Sequence, residues 1–131
     1  MSCFRRSIAP AAVVALVVTG FSGLPGRARA ADAAAGKQVY QQQCGICHAD
    51  KAGVNKIGPS LFGIVGRKTG SEAGYSYSVA NKNANLTWTP EVLDKYIAAP
   101  QKVVPGTKMP YGGLANATKR ANLIAFLATL K

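Results

Sequence analysis

Histidine is all but missing from this sequence, with His48 alone among 131 residues. Acidic residues are scarce too, five Asp and Glu against sixteen Lys and Arg, which leaves a formal charge of +11. Methionine occurs twice, tryptophan once and cysteine three times. No internal repeat and no alternating β pattern can be found, so solenoids and sheet proteins are set aside. The length allows one domain at most. A hydrophobic content of 48% is too high for a charged disordered tail, and 14 Gly with 7 Pro are too scattered for a collagen-like chain. A basic surplus raises a nucleic-acid reading and three cysteines raise a metal or disulfide reading, and the positions of those residues decide both.

The N-terminal thirty residues read as a cleavable signal peptide. Arg5 and Arg6 precede an uncharged apolar stretch from Ile8 to Val18, and Ala28, Arg29 and Ala30 form a small-x-small cleavage pattern. The dense apolar core is shorter than the roughly 20 residues of a spanning helix, and Pro10, Gly20 and Pro25 interrupt its flanks. A cut after Ala30 leaves a single domain over 31–131. It removes Arg5, Arg6, Arg27, Arg29, Met1 and Cys3, so 101 residues remain with a charge of +7, two cysteines and one methionine.

Within 31–131 the periodicity predicts three main helices. The first spans Ala33 to Gln43, with Asp32 as N-cap and Gly36, Val39 and Tyr40 on one face. Residues 50–74, dense in Gly and Pro, predict loops, and a short helix is expected near Val79 to Lys82. Thr89, Pro90 and Glu91 open a second main helix that carries Leu93, Tyr96 and Ile97 and is stopped by Pro100. A second loop over 101–116 follows, and Thr118 opens the last helix, with Leu123, Phe126, Leu127 and Leu130 as its apolar face. So short a chain with half its length in loops buries little apolar area, and something must fill its centre.

Cys44-Gly45-Ile46-Cys47-His48 is C-x-x-C-H, the attachment sequence of c-type haem. Two thiols three residues apart can each add to one vinyl group on a porphyrin edge, and the next residue brings its imidazole to the iron. A thioredoxin-like dithiol would need a βαβ setting that is absent. A structural zinc needs four ligands where the domain offers Cys44, Cys47 and His48. A disulfide between Cys44 and Cys47 closes too small a loop to stabilise much. With one His, the sixth iron ligand cannot be another, and Met109 is the thioether left, in a polar loop flanked by Lys108 and Pro110. The other reading of Met109 is a gap-filling core residue.

These segments, with Gly58 to Gly63, Gly66 to Gly70, Tyr75 to Tyr77, Ala80 to Asn83, Trp88 and Pro105 to Met109, resemble a class I cytochrome c of the cytochrome c2 and mitochondrial cytochrome c branch. The resemblance runs over essentially all of 33–130. It implies an all-α fold, three main helices and long loops wrapped around one haem attached through Cys44 and Cys47, with His48 and Met109 on the iron. It further implies that the Pro59 carbonyl accepts the His48 ring N–H, which fixes ring orientation and basicity. Arg67, Tyr77 and Trp88 would lie near the haem propionates, offsetting charge that is costly to bury. Asn81, Tyr96 and Thr107 would form a polar network beside the Met109 sulfur, while Gly36 and Tyr40 pack on Leu123 and Phe126. For Trp88, Tyr96 and Tyr40 core packing is an alternative role. Loop glycines are more often turn formers than contacts.

His/Met ligation raises the haem potential and leaves no open coordination position, which implies electron transfer rather than catalysis. The expectation is a soluble, periplasmic, monomeric one-electron carrier between a membrane donor such as a bc1-type complex and an acceptor such as an oxidase or reaction centre. Lys56, Lys102 and Lys108 would steer it onto acidic docking surfaces of those complexes, and no nucleic acid is needed to explain the charge. Gln43, Gln101, Ala115 and Asn116 stand where the mitochondrial branch often has lysine, so the basic ring is thinner. A haem peroxidase or gas-binding cytochrome with a vacant sixth position, and a cytochrome subunit held permanently on an oxidase, remain alternatives.

Overall fold

The computed structural model describes residues 30–131. The signal-peptide expectation therefore falls on residues outside the described ones, save Ala30. Helix α1 spans Ala33–Gln43, and Asp32 caps it by accepting from the amides of Ala34 at 2.8 Å and Ala35 at 3.2 Å. Its buried residues Gly36, Val39 and Tyr40 recur at three and four positions, the period of one helix face. Helix α2, Val79–Asn83, is capped by the Ser78 hydroxyl, and α3, Pro90–Ala98, by Thr89 with Pro90 in the first turn. The starts of α1 and α3 are where the caps in the sequence put them, and α2 begins at the expected Val79 with a cap, Ser78, that the sequence reading did not name.

Two boundaries differ from the sequence reading. Pro100 ends α3, but it also starts a four-residue helix α4, Pro100–Val103, where the sequence predicts loop. A proline whose missing N–H costs nothing at a helix start serves both ends of this break. Helix α5, Ala117–Leu127, begins before Thr118, because Asn116 takes the N-cap and accepts from the Lys119 amide at 2.9 Å. Leu130 consequently lies beyond α5, where its carbonyl accepts from the Gly63 amide at 2.7 Å. The buried face of α5 is Leu123, Ile124, Phe126 and Leu127.

Helix α1 crosses α5 at very close range. A Cβ added to Gly36 would stand 1.9 Å from the Asn122 carbonyl oxygen and 2.9 Å from Phe126 Cβ, so only a glycine permits this approach. One turn further on, the rings of Tyr40 and Phe126 lie 5.3 Å apart. Helix α3 also packs on α5, and Trp88 meets Tyr96 with ring centroids 4.7 Å apart. No strand forms among the described residues, only an isolated bridge between Lys68 and Thr87. Around it the Gly66, Thr69 and Trp88 amides donate to Trp88, Leu86 and Arg67 carbonyls, tying the first long loop to the segment before α3. Loops and helices together enclose a central cavity of about 230 Å³.

Candidate functional site: a haem cavity

The thiols reach the cavity because α1 ends one residue before them. Cys44 is the C-cap of α1, and its carbonyl accepts from the amides of Cys47 at 3.0 Å and His48 at 2.9 Å, a single tight turn. That turn is what C-x-x-C-H spacing produces, and Cys44, Cys47 and His48 all line the cavity as unpaired thiols and ring. Burial pushes the Cys44 thiol up to about 11, with the neighbouring Cys47 adding to the effect.

His48 is held from two sides. Its Nδ1 lies 2.7 Å from the Pro59 carbonyl, and the Tyr40 hydroxyl donates to its backbone oxygen at 2.8 Å. A carbonyl can only accept, so Nδ1 carries the proton and Nε2 keeps a free lone pair. Burial lowers the imidazole pKa, against the raising effect of the Pro59 bond, and Lys56 and Arg67 lower it further. The neutral ring that results is the form that ligates a metal. Gly58 is a residue sequence reasoning misjudged. A Cβ there would stand 2.3 Å from His48 Cε1, so its lack of a side chain makes room for the ring rather than for a turn.

Met109 comes to the same cavity from a different loop and packs half-buried against the core. Its amide donates to the Thr107 hydroxyl at 3.3 Å, and that hydroxyl pairs with the Tyr96 hydroxyl at 3.1 Å. Asn81 also lines the cavity but does not join this pair as predicted. Its side-chain oxygen accepts from the Ser78 hydroxyl at 3.0 Å, because Ser78 caps the helix that carries Asn81 and is the nearer partner.

Arg67, Tyr77 and Trp88 line the cavity too. Arg67 Nη2 donates to the Ser60 carbonyl at 2.6 Å, and Nη1 to the Phe62 carbonyl at 3.1 Å and to the Glu72 carboxylate. Glu72, which the sequence reading did not single out, also sends its amide to the Tyr77 hydroxyl at 3.3 Å. Arg67 Nε is buried with no protein partner. Burial raises the Tyr77 phenol pKa, so it stays a neutral donor. Trp88 and Tyr96 are at once cavity wall and core.

The predicted docking lysines are all exposed. Lys56 donates to the Gly45 carbonyl at 2.6 Å, beside the cysteine turn, and Lys108 to the Ser76 carbonyl at 3.2 Å at the cavity wall. Lys102 lies on α4, apart from the lining. Ile46, between the two cysteines in sequence, and Ile57, on the cavity wall, which the sequence reading passed over, are 75% and 71% exposed.

The donor set fits haem c: two thiols on one turn, a neutral imidazole, a thioether, and an orphaned Arg67 N–H of the kind a carboxylate satisfies. A helical cage closed around a C-x-x-C-H turn, with a methionine loop on the same cavity, is the build of a single-haem c-type electron carrier. The family model for cytochrome c matches residues 33–131. The chain belongs to the cytochrome c family, electron-transfer proteins rather than enzymes, which carry haem c attached covalently, here through Cys44 and Cys47. It is 53% identical over 106 residues to cytochrome c2 of Rhodopila globiformis, covering 81% of this chain and 100% of that protein. It is 45% identical over 100 residues to cytochrome c of Euglena viridis, covering 76% and 98%. Among solved structures, cytochrome cH from Methylobacterium extorquens matches with a TM-score of 0.70 at 41% identity, covering 75% of this chain and 98% of that one.

Proposed function

We propose that this cytochrome is a soluble periplasmic carrier, monomeric, that takes one electron from a bc1-type complex and delivers it to an oxidase or reaction centre of the respiratory or photosynthetic chain. The observation that carries the reading is the convergence on one cavity of His48 and Met109, the only His and the only Met of residues 31–131. His48 and Met109 would ligate the haem iron, leaving no coordination position for a substrate. When bound, haem c supplies a couple that holds a single electron.

The chain's own residues do the rest. Pro59 holds the His48 ring in the tautomer that frees Nε2. Arg67 Nε, with Tyr77 and Trp88, would hold the propionate carboxylates, and the Arg67–Glu72 pair keeps the guanidinium in place. Thr107 and Tyr96 fix the backbone at Met109, and Asn81 completes the polar wall. A cavity lined by Leu61, Ile64, Leu93, Ile97, Leu123 and Leu127 would keep water from the bound haem and favour its less charged reduced state. Residues 1–30 direct export and are cut away after Ala30, placing residues 31–131 in the bacterial periplasm.

Lys56, Lys108 and Lys102 dock the carrier on acidic partner surfaces. Contacts of this kind are transient and are steered by long-range charge, so their rate falls with salt. Lys108→Glu should therefore slow oxidation of the reduced protein by membranes bearing its oxidase severalfold at low ionic strength, with the difference shrinking as salt is added. Equal rates for both proteins at low salt would remove Lys108 from the docking face.

A further inference from the structure

The two glutamines that replace expected lysines both grip the Met109 loop. Gln43 is the last residue of α1, directly before Cys44, and its side-chain oxygen accepts from the Tyr111 hydroxyl at 3.2 Å. The two residues are 68 apart in sequence and both line the cavity. A lysine at position 43 has three donors and no acceptor, so it could not take the phenol proton. Gln101, on α4, donates from its amide nitrogen to the Thr107 carbonyl at 3.1 Å and to the Met109 carbonyl at 3.5 Å. The segment from Thr107 to Tyr111 is thus tied to the helix that presents the thiols and, independently, to α4. Tyr111 itself packs half-buried on the core, which holds its ring while the hydroxyl reaches out to Gln43.

We propose that Gln43, Gln101 and Tyr111 are positioning residues that hold the Met109 segment shut over the cavity and so resist displacement of Met109 by an external ligand. This rests on Met109 being the sixth ligand. In this chain two places that could have carried docking charge serve ligand retention instead. The consequence is a carrier that is steered less strongly than a lysine-rich relative but opens its Met loop less often.

The test is imidazole titration of the ferric holoprotein, followed through loss of the long-wavelength thioether charge-transfer band. Tyr111→Phe removes one hydroxyl and keeps the ring, and a single neutral hydrogen bond corresponds to roughly a two- to fivefold rise in the imidazole binding constant. Gln43→Ala should give a rise of the same size, and the double variant no more than either alone, since both lose the same bond. Gln101→Ala should raise binding separately and add to Tyr111→Phe. Unchanged imidazole binding in Tyr111→Phe and Gln43→Ala, or effects of that pair that simply add, overturns the tether. So does a lowered thermal midpoint in these variants without any change in imidazole binding, which is what a merely structural role gives. If the unsubstituted protein shows no thioether band, the Met109 assignment and the tether fall together. If the band is present and Tyr111→Phe binds imidazole as before, the tether alone falls.

Discussion

Gly58 shows how tightly single residues constrain this site. The distance from its missing Cβ to the His48 ring, 2.3 Å to Cε1 and 2.6 Å to Nδ1, leaves no space for a methyl group. Gly58→Ala should turn the imidazole off the Pro59 carbonyl, at a cost of about 1–3 kcal/mol typical of overpacking. The expected outcome is a lower yield of haem-loaded protein and a thermal midpoint lowered by about 4–8 °C per kcal/mol. A variant with normal yield and midpoint would show that the ring can be seated without this clearance. In the sequence Gly58 looked like any other loop glycine. Gly63 and Gly66, with φ of 65° and 87°, do hold turns, and no local signal separates them from a glycine required for closeness. C-x-x-C-H and the lone methionine of residues 31–131 were legible because residue type and spacing alone carry their chemistry. The Arg67–Glu72 pair and the Ser78–Asn81 pair were not, because partners within loops and caps depend on backbone paths that composition does not fix.

At the scale of elements, the crossing of α1 on α5 positions everything else, since α1 delivers the cysteine turn and α5 supplies Leu123 and Leu127 to the cavity wall. Gly36→Ala should gain about 1 kcal/mol of helix propensity but lose more, because the atoms its Cβ meets, the Asn122 carbonyl oxygen and carbon, are backbone that cannot rotate away. Forcing the helices apart costs about 1–3 kcal/mol. A net fall in the thermal midpoint of the holoprotein is expected, and a rise would mean the helices separate freely. The starts of α1 and α3 were readable from Asp32 and from the Thr89 and Pro90 pair, where one capping residue stands alone. The start of α5 was not, since Asn116 and Thr118 are both good caps two residues apart and tertiary context chose the first. Helix α4 was hidden for a related reason: a proline that ends one helix is equally suited to begin the next.

Over the whole molecule, charge is sorted by residue type. Both arginines of residues 31–131 are ion-paired, Arg67 with a largely buried Glu72 and Arg120 with a half-exposed Asp94 at 2.7 Å, leaving the basic surplus to lysines. Compact, strongly hydrated ammonium groups on flexible stems suit brief docking better than the bidentate grip of guanidinium. Of the formal charge of +11, four units fall on the arginines of residues 1–30 and seven are the surplus of ten lysines over Asp32, Asp50 and Glu91, the two ion pairs being neutral. No helix among the described residues is long and apolar enough to cross a membrane. The proposed carrier role rests on His48 and Met109, both half-buried and lining one cavity, which would hold the haem iron between them. The most direct test is the absorption spectrum of the ferric holoprotein beside that of Met109→Ala, with the reduction potentials of both. The thioether charge-transfer band should be present in the first and absent in the second, and the potential of the variant should be lower. A Met109→Ala protein that keeps the band and the parent potential would contradict His48/Met109 ligation.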